Sequence, residues 1–519
     1  LTEQAVNRED KTAATESPCL AQAPTTANPR HSISSAIARH IRFEKASFHT
    51  PGHKGRQDQL FQPGFRAASV DTWPPKAEHK SSYLSAHADL TELPGLDDLS
   101  APTGVIAYLE ERIARLWQSQ GQAFISVGGA SAALTAAILS AAPRGEYALV
   151  PRNAHRSVIN ALCLARLKPI WYEPKFEGGW GFWGAATAPA LQSAIEQARS
   201  QAATIACALV VSPTYAGALS DIDAISEITK SFDIPLIVDE AHGAHFLPGC
   251  GMPRSAITSG ADAVAHSWHK TLPALTQTGA LHLPNGSLLQ AQSVRSSLNL
   301  ITSSSPSYLL LASMDETLSL LESKSAKNQA EKILRLSSYF RQGLARQQAL
   351  HCYDTDSGIN PSHILVGTGQ EEAHHLYEFL QDRGIFAEAV MGCGVLFMLG
   401  LGSEAADIDL ALAAINDFVG AYELTLSGQS FAATTAGGNA AKLTRPYKFV
   451  APPFEPVLPP HQAMLLPHET VPLNQALGRV AAQCLSPCPP GIPILIPGQK
   501  ITEEVLELIS DRTIVVLAQ

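Results

Sequence analysis

The chain has 519 residues, 45% of them hydrophobic and 16% charged, with a formal net charge of −10. That length exceeds one ordinary core and predicts two or three soluble globular domains rather than a disordered chain. Lys and Arg are scattered, so the basic footprint of a nucleic-acid-binding protein is missing.

Along the chain, residues 1–30 are polar and lack an apolar segment, predicting a disordered arm with no secretory signal. "HSISSAIARHIRFEKA" (31–46) has apolar residues at helical spacing and predicts an amphipathic helix that packs on a partner subunit. From about 120, short apolar runs read as strands: "QAFISV", "YALVP", "TIACALVV", "IPLIVD", "ADAVAHS" and "GALHL". Helical stretches separate them. Continuous apolar runs with helices between predict an α/β domain, with a mostly parallel sheet covered on both faces.

A long helical stretch after 310 leads to "SHILVG", "GIFAEAV" and "GVLFMLGLG", expected strands of a smaller α/β domain. Residues 426–445 read as a linker. The Pro-rich tail ends in "CPPGIPILIPGQKITEEVLELI", expected to form a turn-bounded strand and a helix. The expected domains are therefore 31–310, 311–425 and 446–519. The longest apolar run, 389–402, is too short and Gly-rich to span a bilayer. Eight cysteines spread over the chain, mostly in apolar runs, fit reduced thiols in a cytoplasmic protein.

"IPLIVDEAHGAHF" (234–246) delivers Asp239-Glu240-Ala241-His242 at a strand end. In nucleic-acid helicases this tetrapeptide serves ATP hydrolysis. An ATP motor also needs a Gly-Lys phosphate cradle, and the chain contains no Gly-Lys dipeptide. The competing reading is a pyridoxal phosphate enzyme, which needs a Lys, an acid at the pyridine nitrogen, a phosphate cup and a group stacked on the ring. Asp239 suits the nitrogen, although an Asp there also caps helices. "SVGGASAAL" (126–134) puts Ala130 and Ser131 at a Gly-rich turn opening a helix, where free N–H groups bind phosphate. "HSWHKT" (266–271) supplies Ser267, His269 and Lys270, with the lysine placed for desolvation and nucleophilic use. His155 follows a strand and could stack on a ring or sit in an exposed loop. Ser212 follows another. His242 and His245 lack further ligands at a spacing that would complete a metal site, so no metal is expected. Candidate chemistry gathers at strand carboxyl ends, where open α/β sheets bind ligands.

"FHTPGHKGR" (48–56), "DLTELPGLDDLSAPTGVI" (89–106), "RNAHRSV", "SPTYAGALSDI", "VDEAHGAHF", "HSWHKTLPALTQ" and "PPGIPILIPG" (489–498) together resemble the fold-type I pyridoxal phosphate decarboxylases of ornithine, lysine and arginine. The polar start leaves no room for the wing domain of larger members, so the similarity is to the short group. The resemblance implies a large PLP domain over 31–310, a homodimer or higher oligomer with shared sites, and polyamine biosynthesis. It implies that Lys270 carries the cofactor, Asp239 pairs with its ring nitrogen, and His155 stacks on the ring. Ser131, Ser212, Ser267 and His269 would then serve the phosphate or the reaction centre, with His242 beside the cofactor. Glu92, Asp97 and Asp98 are candidates for the substrate's distal cation, or simply a solvated loop. Gln499 stands where that family commonly has Glu, which leaves the substrate open. Aminotransfer, Cβ–Cγ lysis and a non-catalytic relative are the alternatives on this scaffold.

Overall fold

The computed structural model describes residues 32–43, 89–323, 326–347, 350–368, 370–425, 454, 456–509 and 512–518. The expected arm, the "FHTPGHKGR" motif and the 426–445 linker lie outside them.

Continuous apolar segments build the central sheet, as expected of strands covered on both faces. Its strands are β1 (Gln122–Ser126), β2 (Tyr147–Pro151), β3 (Lys168–Tyr172), β6 (Ile205–Val211), β7 (Leu236–Asp239), β8 (Ala263–Ser267) and β9 (Gly279–Leu283). A short hairpin, β4 (Phe176–Glu177) with β5 (Phe182–Trp183), lies between β3 and β6 in sequence. The sheet order is β1-β9-β8-β7-β6-β2-β3. Pairing is parallel from β8 through β7, β6 and β2 to β3, and antiparallel on both sides of β9. The carboxyl ends of β2, β6, β7 and β8 therefore open on one side.

Helix Gly129–Ala141 is apolar all round, because it is buried between the sheet and the helices Arg156–Ala165 and Ala291–Ile301. The other face is covered partly by Val105–Leu116 and Tyr308–Glu322. The amphipathic helix occurs at Ile33–Phe43, where it packs on helices Tyr308–Glu322 and Val105–Leu116 of this chain. Ile33 and Ile37 enter the main core, and Ile33 N–H donates to Asp315 Oδ2 at 2.8 Å. Arg112 holds the same region together from Val105–Leu116, paired with Asp315 at 2.5 Å and Glu322 at 2.7 Å.

The long helical stretch after 310 is two helices, Tyr308–Glu322 and Ala326–Leu344. Tyr308, Leu311, Met314 and Leu318 of the first belong to the large-domain core. The small domain has an antiparallel sheet in the order β10 (His351–Cys352), β11 (His363–Gly367), β13 (Gly394–Met398), β12 (Ala389–Met391). Helices Ala326–Leu344, Gln370–Gln381 and Ala405–Thr425 cover it. Only the end of "GIFAEAV" is strand, because "GIF" follows the turn that ends helix Gln370–Gln381.

In the C-terminal region the strands are β14 (His468–Pro472) and β15 (Thr513–Leu517), both outside the segment expected to form one. In that segment, 488–509, residues 488–502 form turns and isolated bridges, and a helix of one turn, Glu503–Leu506, follows. The region docks on the large domain: Arg152 Nη1 donates to Pro493 O, and Arg156 N–H donates to Gly491 O at 2.9 Å. Among the described residues no helix is long and apolar enough to cross a membrane.

Candidate active site

The strand ends converge on a cavity of about 400 Å³. The turn after β1 forms one wall, Asn153 and His155 after β2 another, and Thr214 and Tyr215 after β6 a third. Asp239 ends β7 and His242 follows it, while Ser267 ends β8 and His269 and Lys270 follow it. Glu388 enters from the small domain and Cys488 from the C-terminal region.

Gly129 has φ of +65°, and its N–H donates to Gln277 O at 2.7 Å. A Cβ there would reach 3.5 Å from His269 Cε1, so a side chain would intrude between the helix start and the imidazole. Ala130 N–H meets Ser267 Oγ at 3.4 Å, and Ser131 is exposed to the cavity. The result is an open cup with hydroxyls and a helix N-terminus, a setting suited to an anion. His269 Nδ1–H donates to Thr278 O at 3.0 Å, which fixes the orientation of the ring.

Asp239 is 7% exposed at the cavity wall, where Oδ1 accepts from Ala241 N–H at 3.1 Å. Lys270 reaches the same cavity, its Nζ 3.0 Å from His242 Nε2. The surrounding walls desolvate the ammonium and hold its pKa below the ordinary lysine value, against the attraction of Asp239 and Glu388. His242 is also held neutral, chiefly by burial and then by the nearby Lys270 charge.

His155 caps helix Arg156–Ala165, with Nδ1 accepting from Ser157 N–H at 3.1 Å. Burial lowers its pKa, so the ring is an uncharged plate beside the cavity. Deeper in the same wall, Asn153 Oδ1 and Trp183 Nε1 are buried without a hydrogen-bond partner, polar atoms left for a ligand or water.

The four residues of "DEAH" divide between two jobs. Glu240 turns under the sheet, where Ser255 Oγ donates at 2.5 Å, Ala256 N–H at 2.9 Å, and His266 Nε2 lies 2.8 Å away. Burial pushes Glu240 up to about 8 and His266 down to about 3, so the proton of this pair stays on the carboxyl. Glu240 is therefore a structural neighbour of Asp239 with no access to the cavity.

The chain brings together His155, Asp239, His242, Ser267, His269, Lys270, Ala130 and Ser131 at the cavity wall. Ser212 stands apart: it is buried, and its Oγ accepts from Ser220 N–H at 3.0 Å to fix the loop. Asp97 is consumed as a helix anchor, accepting from the N–H groups of Thr103, Gly104 and Ile106 at 2.8–3.0 Å. Asp98 accepts from Ser100 N–H in the same loop, and Glu92 is exposed, away from the cavity of this chain. Gln499 is 3% exposed in a C-terminal turn, its Oε1 accepting from Ile496 N–H. The carboxylate that does line the cavity with Asp239 is Glu388, which accepts a hydrogen bond from Tyr215 Oη. Nothing in "GIFAEAV" marks it, because only the folding of the small domain against the large one brings it within reach.

Residues 32–364 match the model of the Orn/Lys/Arg decarboxylase major domain, and residues 447–510 match that family's C-terminal domain. The chain belongs to the Orn/Lys/Arg decarboxylase family. It is similar to an arginine decarboxylase of Bacillus anthracis, 30% identical over 487 residues that cover 91% of each chain. It is also 24% identical over 559 residues to the constitutive lysine decarboxylase of Escherichia coli, covering 90% of this chain and 75% of that one. The structure of the Escherichia coli constitutive lysine decarboxylase superposes with a TM-score of 0.74 at 20% identity, covering 94% and 82% of the two chains. The lysine decarboxylase of Francisella novicida does so with 0.72 at 19%, covering 93% and 78%. These solved structures share the fold: a large, mostly parallel sheet with helices. As a decarboxylase of this family the protein is a carboxy-lyase acting on an amino acid.

Proposed function

We propose that this decarboxylase uses pyridoxal 5'-phosphate to convert lysine, arginine or ornithine into the corresponding amine. The carrying observation is that Lys270 and Asp239 share one cavity with a second carboxylate, Glu388, on its small-domain side. The residues present suit the cofactor: an anion cup at Gly129–Ser131 and Ser267, a carboxylate at Asp239, a neutral imidazole at His155 and a desolvated amine at Lys270. When bound, pyridoxal phosphate supplies an electron sink for the pair released as the carboxylate leaves.

The chain's own residues do the rest. Helix Gly129–Ala141 and Ser267 would hold the phosphate by N–H and hydroxyl donors. Asp239, an acceptor fixed by Ala241 N–H, would keep a ring N–H protonated. His155 would pack its face on the ring. Lys270, with its lowered proton affinity, would hold the cofactor through its amine and, once freed by the substrate, carry a proton for the substrate α-carbon, with His269 Nε2 as the adjacent alternative carrier. The aromatic and apolar walls, Trp183, Tyr215 and Met391, would exclude water.

Glu388 and Tyr215 face the substrate's far end in this reading, in place of Glu92, Asp97, Asp98 and Gln499. A carboxylate in a half-enclosed cavity suits an ammonium or guanidinium and penalises neutral side chains. Polyamine biosynthesis, a cytoplasmic location and a homodimer or larger assembly with shared sites belong to the same reading, supported by the family resemblance. Amine formation from the three substrates with added cofactor tests the activity, and light scattering tests the assembly.

A further inference from the structure

A hydrogen-bonded chain runs from Lys270 into the small domain. His242 Nδ1 lies 3.3 Å from His363 Nε2, and His363 Nδ1 lies 3.0 Å from Ser362 Oγ. Ser362 Oγ donates to Asn360 Oδ1 at 2.9 Å. His363, Ser362 and Asn360 are fully buried, and His363 opens β11 of the small domain, while His242 follows β7 of the large one.

The sense of this chain is fixed from its far end. Asn360 Nδ2 donates to His242 O at 2.9 Å, and Asn360 Oδ1 receives Ser362 N–H at 3.1 Å. A backbone carbonyl only accepts and a backbone N–H only donates, so the amide has one orientation. Ser362 therefore spends its proton on Asn360 and accepts from His363 Nδ1–H. His363 Nε2 is then bare and accepts from His242 Nδ1–H. His242 Nε2 is bare in turn, and Lys270 Nζ must donate to it. Burial holds His363 down to about 3, so neither imidazole takes a second proton to break the sequence. Asn360 Oδ1 also accepts from the buried His245 Nε2 at 3.1 Å, and because an amide takes up no proton, none passes beyond Asn360. The hydrogen-bonded chain orients and does not conduct.

We propose that His363 is a positioning residue for Lys270: from the small domain it fixes His242 in the tautomer whose bare Nε2 faces the lysine, so the seating of one domain sets the proton affinity of the reactive amine in the other. The consequence for catalysis rests on the reading of Lys270 as the cofactor lysine. The coupling itself does not.

The test uses the full chain without cofactor. The rate of Lys270 modification by trinitrobenzenesulfonate is followed against pH, with the Lys270 peptide quantified by mass spectrometry. The titratable groups facing Lys270 are Asp239 at the end of β7, Glu388 before β12, Cys488 in the C-terminal region, and the neutral His155 and His242, and none of these is changed. His363→Leu removes the acceptor that fixes His242, and the midpoint is expected to fall by about one pKa unit, a tenfold change in free amine. His363→Gln retains an acceptor oxygen and is expected to stay within about 0.3 units of wild type. Equal midpoints for wild type and the Leu variant overturn the proposal. Equal shifts in the Leu and Gln variants also overturn it, since loss of packing alone would act on both. Should the Leu variant not fold, Ser362→Ala, which frees His363 to change tautomer, is expected to shift the midpoint the same way, and no shift there counts against the proposal. Absence of amine formation by wild type would remove the proposed function while leaving these midpoints readable.

Discussion

Gly491 lies against the imidazole of His155: a Cβ at Gly491 would fall 2.5 Å from both Cδ2 and Nε2 of the ring. The glycine also has φ of +79°, and its carbonyl accepts Arg156 N–H, so the C-terminal region presses on the wall where the cofactor ring is proposed to stack. Gly491→Ala must displace either the ring or the backbone. We expect about 1–3 kcal/mol of destabilisation and weaker retention of added cofactor. Thermal melts and an absorbance titration with pyridoxal phosphate check this, and unchanged affinity would show that His155 does not touch the ring.

Asp239 and Glu240 are sequence neighbours with separable roles. Asp239→Asn removes the acceptor at the cavity and is expected to lower kcat by about 10²-fold or more with little change in Tm. Glu240 is protonated at neutral pH, so Glu240→Gln keeps much of its hydrogen bonding and is expected to leave kcat within about threefold. Glu240→Ala instead leaves Ser255, Ala256 and His266 without their partner, at a cost of about 2–4 kcal/mol. Steady-state kinetics and denaturation of the three variants separate these outcomes.

Glu388→Gln removes a charge where the substrate cation is proposed to sit. The expected result is a KM for the basic amino acid raised about 10–100-fold, with kcat changed much less. A variant with unchanged KM would place the distal cation elsewhere.

Acid should destabilise the fold through histidines buried neutral. His363 is held down to about 3 and His245 to about 4, against about 6.5 when unfolded. Between about 6.5 and 4 the unfolded chain binds protons that the folded chain refuses, so stability falls with pH. These two sites give a slope of roughly 2–3 kcal/mol per pH unit. The Glu240–His266 pair nearly cancels from 6.5 to 4.5, because the folded form gains a proton on Glu240 as it forgoes one on His266. A Tm unchanged from pH 7 to pH 5 would contradict the neutral assignment.

Local patterns in the sequence mark one half of the site well. Strand periodicity puts Asp239, His155, Ser267 and Lys270 at carboxyl ends, and the sheet order then gathers them on one cavity. Glu388 and Cys488 reach the same cavity from other domains, His363 meets His242 from the small domain, and no spacing links Lys270 to a residue 118 positions later. The acidic loop at 92–98 misleads because a helix anchor and a substrate carboxylate have the same composition: Asp97 spends its oxygens on the N–H groups of 103–106. The C-terminal strands are missed for a related reason. "HETVP" has one buried residue in five, so it carries no apolar run, and its pairing with Thr513–Leu517 is set by chain-distant contacts.

The most direct measurement of the central claim is amine production from lysine, arginine, ornithine and a neutral amino acid, with added pyridoxal phosphate, by wild type and Lys270→Ala. The account predicts cadaverine, agmatine or putrescine from wild type, at least about 10³-fold less from the variant, and nothing from the neutral substrate. Wild-type protein that binds pyridoxal phosphate through Lys270 and yet forms none of the three amines would contradict it.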